Sequence, residues 1–182
     1  PSKPQILPSK QGYNRFTWDF NRAALPSIHK VFIFGGLSGS RVAPGNYTLR
    51  LTLEEDTVET MITILPNPKI NSNPQDFIAQ QKMLVTIENT IRAMHEAVNQ
   101  MRSTKTQLDA YANLLKDHEN ATHLLEKGET LSKRINSWEE NLIQAKQKTF
   151  QDVINFNNKL NAQLIHLKSY LDQADPKVTN GA

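Results

Sequence analysis

The sequence predicts an α+β protein in two segregated parts: an Ig-like β-sandwich over residues 1–68, then a long-helix antiparallel three-helix bundle over residues 69–182. Three observations carry this. Before Asn73 the hydrophobic period is two and no helical period is visible. After Pro74, apolar residues recur at alternating steps of three and four. Between the two parts lies Pro66-Asn67-Pro68, whose prolines forbid helix and favour extended chain.

In the first part, Phe16, Trp18 and Phe20 alternate with Arg15, Thr17 and Asp19, the pattern of a half-buried strand. Lys30-Val31-Phe32-Ile33-Phe34 predicts another, and Gln5-Ile6-Leu7 an edge strand bounded by Pro4 and Pro8. Residues 46–65 predict a β-hairpin. Tyr47, Leu49, Leu51 and Leu53 are apolar, Val58, Ile62 and Ile64 answer them, and Glu54-Glu55-Asp56 is a short acidic connection. Pro44-Gly45 is a turn signal before it. Several short strands in so short a stretch predict a small sandwich.

The helical part starts with Asn73 placed to cap, Pro74 suited to the first helical position and Asp76 in the first turn. The first helix is expected over 74–116, with the seam Leu84, Ile87, Ile91, Met94, Val98, Met101, Leu108, Ala112 and Leu115, interrupted by Lys105. Such a helix is ~65 Å long at 1.5 Å per residue. Ser103-Thr104 are poor helix formers within it. A second helix over 119–146 carries Leu124, Gly128, Leu131, Ile135, Trp138, Leu142 and Ala145. Gly128 is expected to mark close helix approach, and Trp138 to be the large residue of the interface. A third over 155–174, capped by Asn155, carries Leu160, Leu164, Leu167, Leu171 and Ala174, and Asp175-Pro176 ends it. Short connections predict an up-down-up bundle. The first helix outruns its partners, which leaves part of its groove for the β-domain, for more of the chain or for another copy.

Charge points away from nucleic acid. The excess of three positive charges is spread out: seven Lys/Arg against five Asp/Glu in residues 1–68, and fourteen against thirteen in 69–182. The absence of cysteine excludes disulfides, Cys-ligated zinc and Cys nucleophiles. No apolar run approaches the ~20 residues of a membrane-spanning helix. No signal peptide opens the chain, and both ends read as cuts, so a fragment of a longer protein is expected.

No catalytic, cofactor-binding or metal site is expected. His95-Glu96-Ala97-Val98-Asn99 has Asn where the zinc-protease motif needs its second histidine, so His95 reads as a surface or boundary residue. His118, Glu119 and His123 cluster at a helix turn and read as a solvated end. Glu139 and Glu140 are adjacent on a helix and point apart, unlike a working carboxylate pair. Gly35-Gly36-Leu37-Ser38-Gly39-Ser40 lacks the Lys-Ser/Thr ending of a phosphate cradle and reads as a flexible loop. Asn46-Tyr47-Thr48 and Asn120-Ala121-Thr122 are formal glycosylation sequons. Trp18, Phe32, Phe34 and Tyr47 are the aromatics with which a carbohydrate-binding module would stack sugar; core filling is the plainer reading.

The order Phe16-Thr17-Trp18-Asp19-Phe20, Ala43-Pro44-Gly45-Asn46-Tyr47-Thr48-Leu49-Arg50-Leu51, Pro66-Asn67-Pro68, then Met94-His95-Glu96-Ala97-Val98-Asn99-Gln100-Met101-Arg102 resembles the C-terminal region of bacterial, Bacteroidetes-type BNR-repeat or sortilin-like "glycosyl hydrolase" proteins. The resemblance covers most of residues 12–174. It implies an Ig-like module and a helical tail behind a β-propeller, in an exported (periplasmic, cell-surface or secreted) parent. The family's hydrolase label belongs to the propeller, so no catalytic residue is carried onto this chain. The expected role is a non-catalytic accessory region that braces the propeller intramolecularly or docks a protein partner. The rival is a carbohydrate-binding module.

Overall fold

The computed structural model describes residues 7–178. Along the chain come β1 (Gly45–Leu53), β2 (Asp56–Ile64), α1 (Pro74–Leu115), α2 (Thr122–Leu142) and α3 (Leu160–Leu171), with short 3-10 turns at Glu119–Ala121 and Phe150–Val153. Of the edge strand expected at Gln5-Ile6-Leu7, Gln5 and Ile6 lie outside the described residues, and Leu7 is in no strand.

The Ig-like sandwich is not there. Among the described residues the β-structure is one two-stranded antiparallel sheet, β1–β2, plus an isolated bridge between Asn21 and Arg41. The segments expected as strands at Phe16–Phe20 and Lys30–Phe34 belong instead to irregular chain. Residues 20–43, called the strap below, fold back on themselves. The backbone N–H of Val42 donates to the Phe20 carbonyl, that of Arg22 to Ser40, and that of Leu25 to Leu37. Phe20 and Lys30 have φ of 62° and 55°, a left-handed conformation that breaks an extended run. The strap's apolar side chains enter the helical core rather than a second sheet. Leu25 joins Leu84, Ile87, Ile91, Ile165 and Leu171, and Ile28 joins Val98 and Ile143.

α1 starts as its sequence dictates. Asn73 caps it through Asp76 in a reciprocal capping box, with Pro74 at the first position. It runs unbroken through Ser103-Thr104. Thr86, Thr90, Thr104 and Thr106 each return their hydroxyl to the carbonyl four residues earlier, so these poor helix formers keep their polar groups within the helix.

The return helices correct the up-down-up expectation. On α2, Glu139 meets Arg102 and Asn136 meets Lys105, so α2 is antiparallel to the C-terminal half of α1. On α3, Asn161 meets His95, and the Leu171 carbonyl meets Gln80, so α3 is antiparallel to the N-terminal half. The two lie in tandem along one long helix, and the strap supplies the further cover. Ile143 is buried as α2 ends, and Gln144 donates to the Asn157 carbonyl across the connection, so α3 begins near the point where α2 stops.

α2 is also rotated from its expected seam, although Ile135 and Leu142 stay inward, whereas α3 keeps Leu164, Leu167 and Leu171 of its seam against the core. α2 turns Leu125, Ser132, Ile135 and Glu139 inward, while Leu124, Leu131 and Trp138 are exposed. α3 buries Asn161, Ile165 and Lys168, and leaves Leu160 outside. In each case an inward polar residue finds a partner across the interface: Glu139 finds Arg102, and Asn161 finds His95. Gly128 marks no close approach, since a Cβ there would meet nothing within 4 Å.

Candidate functional site

Beside the apolar seam of α1, four polar residues recur every seventh position: Gln81, Glu88, His95 and Arg102. Seven residues is close to two helical turns, so they line one face. Each engages the strap's backbone. Gln81 Oε1 accepts from the Ala43 N–H at 2.9 Å, and Glu88 Oε1 accepts from the Ser40 N–H. His95 Nδ1 meets the Pro26 carbonyl, and Arg102 Nη1 donates to the His29 carbonyl. Asn99 adds a bond from Nδ2 to the Ser27 carbonyl at 3.0 Å. Irregular chain has no ladder of its own to satisfy its buried amides and carbonyls, and this stripe supplies partners.

Three of the four also reach a second group. Glu88 pairs with Arg22 at 3.3 Å. His95 Nε2 lies 2.7 Å from Asn161 Oδ1 on α3. Arg102 donates from Nε and Nη2 to Glu139 Oε1 on α2, at 2.9 and 2.7 Å. The stripe therefore ties strap, α2 and α3 to one helix. At its lower end Asp172 Oδ1 accepts from the Arg41 N–H at 3.2 Å. Burial pushes the Asp172 carboxyl above its ordinary range, against the pull of that N–H and of Lys168 and Arg41. Asp172 also borders an open groove of about 200 Å³, with Phe20, Arg41, Ile64, Phe77 and Gln80.

The hairpin is built differently. The register pairs Tyr47 with Ile62, Leu49 with Thr60 and Leu51 with Val58. Because side chains alternate, one face carries Tyr47, Leu49, Leu51, Leu53, Val58, Ile62 and Ile64. The other is polar apart from the exposed Met61, with Arg50 and Glu59 paired at 2.6 Å and Thr63 donating to Asn46. Among the described residues the apolar face is covered only at its root, where Trp18 meets Tyr47 edge-on at 6.4 Å between ring centres. Toward the tip Leu49, Leu51, Leu53 and Val58 are 43, 54, 65 and 67% exposed. No backbone hydrogen bond from elsewhere in the described residues reaches either strand. The tip is Glu54-Glu55-Asp56, and none of these carboxylates has an ion-pair partner among the described residues. Glu54 takes φ of 52°, as the primed turns of two-residue hairpin loops require.

In comparisons with known proteins, no protein-family model, curated protein or solved structure matches this chain.

The residues singled out in the sequence fall in separate places. His95, read as a surface or boundary residue, is 1% exposed and is the centre of the stripe. His118, Glu119 and His123 are exposed around the turn that opens α2. Among the described residues no group of three His, Cys, Asp or Glu side chains is placed to hold a metal ion. Glu139 is buried against Arg102, and Glu140 is exposed. The segment read as a flexible loop is packed at its end: Ser40 is fully buried, and a Cβ on Gly39 would collide with the backbone of Arg22 and Ala23. The aromatics form no single platform. Trp18 stacks edge-on with Phe20 at 5.3 Å and spends its indole N–H on the Asn21 carbonyl, while Phe34 meets Phe150 at a different place. Of the sequon asparagines, Asn46 lies in β1 and Asn120 in the turn before α2. No helix of the described residues is long and apolar enough to cross a membrane.

The sequence reading missed the polar stripe. Its signal is a seven-residue repeat of hydrogen-bonding residues flanking the seam, of which the sequence reading singled out His95 alone.

Proposed function

We propose that this chain is a non-catalytic structural and protein-interaction region of a larger exported bacterial protein, with the hairpin's apolar face as its contact surface. The observation that carries the reading is the contrast within one sheet. One face pairs Arg50 with Glu59 and Thr63 with Asn46 and exposes the single apolar side chain Met61, while Leu49, Leu51, Leu53 and Val58 stand exposed on the other. A two-stranded hairpin is marginal in water, so a bare apolar face gains most by being covered. The scaffold beneath is suited to the task, because the stripe on α1 fixes the strap from which β1 emerges. The resemblance to C-terminal regions of BNR-repeat proteins supplies the parent: the partner is its preceding β-propeller, and the chain braces it.

Sedimentation of the chain with that propeller added as a separate chain tests this. The reading predicts a complex that Leu51→Asp abolishes. A chain that ignores the propeller, or a complex indifferent to Leu51→Asp, contradicts it.

A further inference from the structure

We propose that the hairpin is covered by strand addition: an extended segment of the docked partner, apolar at alternate positions and basic at one end, pairs antiparallel along an open edge of β1 or β2 with its Lys/Arg end at the Glu54-Glu55-Asp56 tip. The proposal rests on the docking reading above and names the contacting element.

Three features of the hairpin select this occupant. Both outer edges have nine-residue strands with no backbone partner from elsewhere in the described residues. Such rows of amides and carbonyls template an added strand. The side-chain pattern alternates along β1, and β2 follows it except at Thr60 and Met61, so an added strand in register extends the apolar face with its own alternate side chains. Each edge also ends at the same three carboxylates, which lack an ion-pair partner among the described residues. Lys133, Arg50 and Arg102 are engaged elsewhere, with Glu129, Glu59 and Glu139. A positive charge at the end of the added strand complements the tip, and a negative one is repelled. The carboxylates also discourage a second hairpin from stacking tip to tip, since like charges would meet.

Polarity distinguishes the edges. A segment antiparallel to β1 has its N-terminus at the tip, and one antiparallel to β2 has its C-terminus there. Two probe peptides of alternating valine and threonine, one with two lysines at its N-terminus and one with two at its C-terminus, are titrated into the full chain at low salt. Versions with glutamate in place of lysine serve as controls. One lysine peptide is expected to bind about tenfold or more tightly than its glutamate control. That preference shrinks as salt is raised, and amide exchange slows along one edge only. Leu51→Asp is expected to remove binding while leaving the thermal unfolding of the helices unchanged, because Leu51 lies outside the core.

Equal binding of lysine and glutamate peptides overturns the proposal, as does binding that moves the leucine methyls without slowing any edge amide. Failure of every peptide, with propeller binding still sensitive to Leu51→Asp, overturns strand addition and leaves the docking reading standing. Failure of both removes the docking reading as well.

Discussion

His95 on α1 and Asn161 on α3 meet through Nε2 and Oδ1 at 2.7 Å in the buried centre of the molecule, while His95 Nδ1 faces the Pro26 carbonyl. A neutral imidazole offers one donor and one acceptor, so it does not donate to two carbonyl oxygens. The Asn161 Nδ2 group is buried with no partner. Turning the Asn161 amide by half a rotation gives each His95 nitrogen a compatible partner: Nδ1–H donates to Pro26, and Asn161 Nδ2–H donates to Nε2. The expected tautomer is Nδ1–H, to be read from the ring nitrogen chemical shifts. His95→Ala removes the partner of two buried groups and is expected to cost about 2–4 kcal/mol in chemical denaturation.

The strap depends on a backbone contact that tolerates no side chain. A Cβ on Gly39 would overlap the carbonyls of Arg22 and Ala23. Gly39→Ala is therefore expected to separate the strap's two arms and to lower stability by about 2 kcal/mol or more. Gly36 has open space around its Cβ position, but its φ is 70°, so Gly36→Ala is expected to cost about 1–2 kcal/mol, from backbone conformation alone. Paired thermal melts give the ranking.

Much of this was legible in the sequence, and the parts that were not share a cause. The seam of α1, its Asn73 cap and the 46–65 hairpin follow from local pattern, because periodicity and capping are local properties. The sandwich failed because Ile33 and Val31, read as strand residues, pack on the helical clusters of Leu84 and of Val98, and no local pattern distinguishes a strand facing a sheet from a strap facing a helix. The seam of α2 failed by one residue at Leu124, Leu131 and Trp138, whereas α3 keeps Leu164, Leu167 and Leu171 against the core. Leucine spacing favours Leu124, Leu131 and Leu160, yet these stay exposed while Glu139 meets Arg102 and Asn161 meets His95 across the interface. Had hydrogen-bonding residues been scored at seven-residue spacing alongside apolar ones, Gln81, Glu88, His95 and Arg102 would have been found.

That rotation of α2 is open to test. Ile135 is 7% exposed and Trp138 is 44% exposed. Ile135→Ala is expected to cost about 2–4 kcal/mol, and Trp138→Ala under about 1 kcal/mol. The expected seam, with Trp138 central, requires the tryptophan substitution to be the more costly one.

Asp172 gives the fold a pH signature. Its carboxyl titrates above the ordinary value of 3.8 in the folded chain, chiefly because of burial. The folded state therefore holds this proton at pH values where the unfolded chain has released it. Asp172 makes its largest contribution to stability below the unfolded pKa, and that contribution falls as pH rises from there through the raised folded value. Asp172→Asn keeps an acceptor for the Arg41 N–H and is expected to remove this fall. Denaturation midpoints of both proteins on either side of that interval show whether the slopes differ. Asp19, Glu129 and Asp152 run the other way, being held below their ordinary values by hydrogen bonds or, for Glu129, by Lys133. The difference between variants isolates Asp172.

The central claim is a stripe-knitted scaffold that presents an uncovered hairpin. Native-state hydrogen exchange of the chain alone tests it most directly. The account predicts slow exchange for the buried turns of α1 and for the strap amides of Arg22, Leu25 and Val42, which are bonded to Ser40, Leu37 and Phe20. It predicts fast exchange throughout β1 and β2, which lack the cover that would hold them closed. A hairpin as protected as α1 in the isolated chain, or a strap that exchanges as freely as the hairpin, would contradict it.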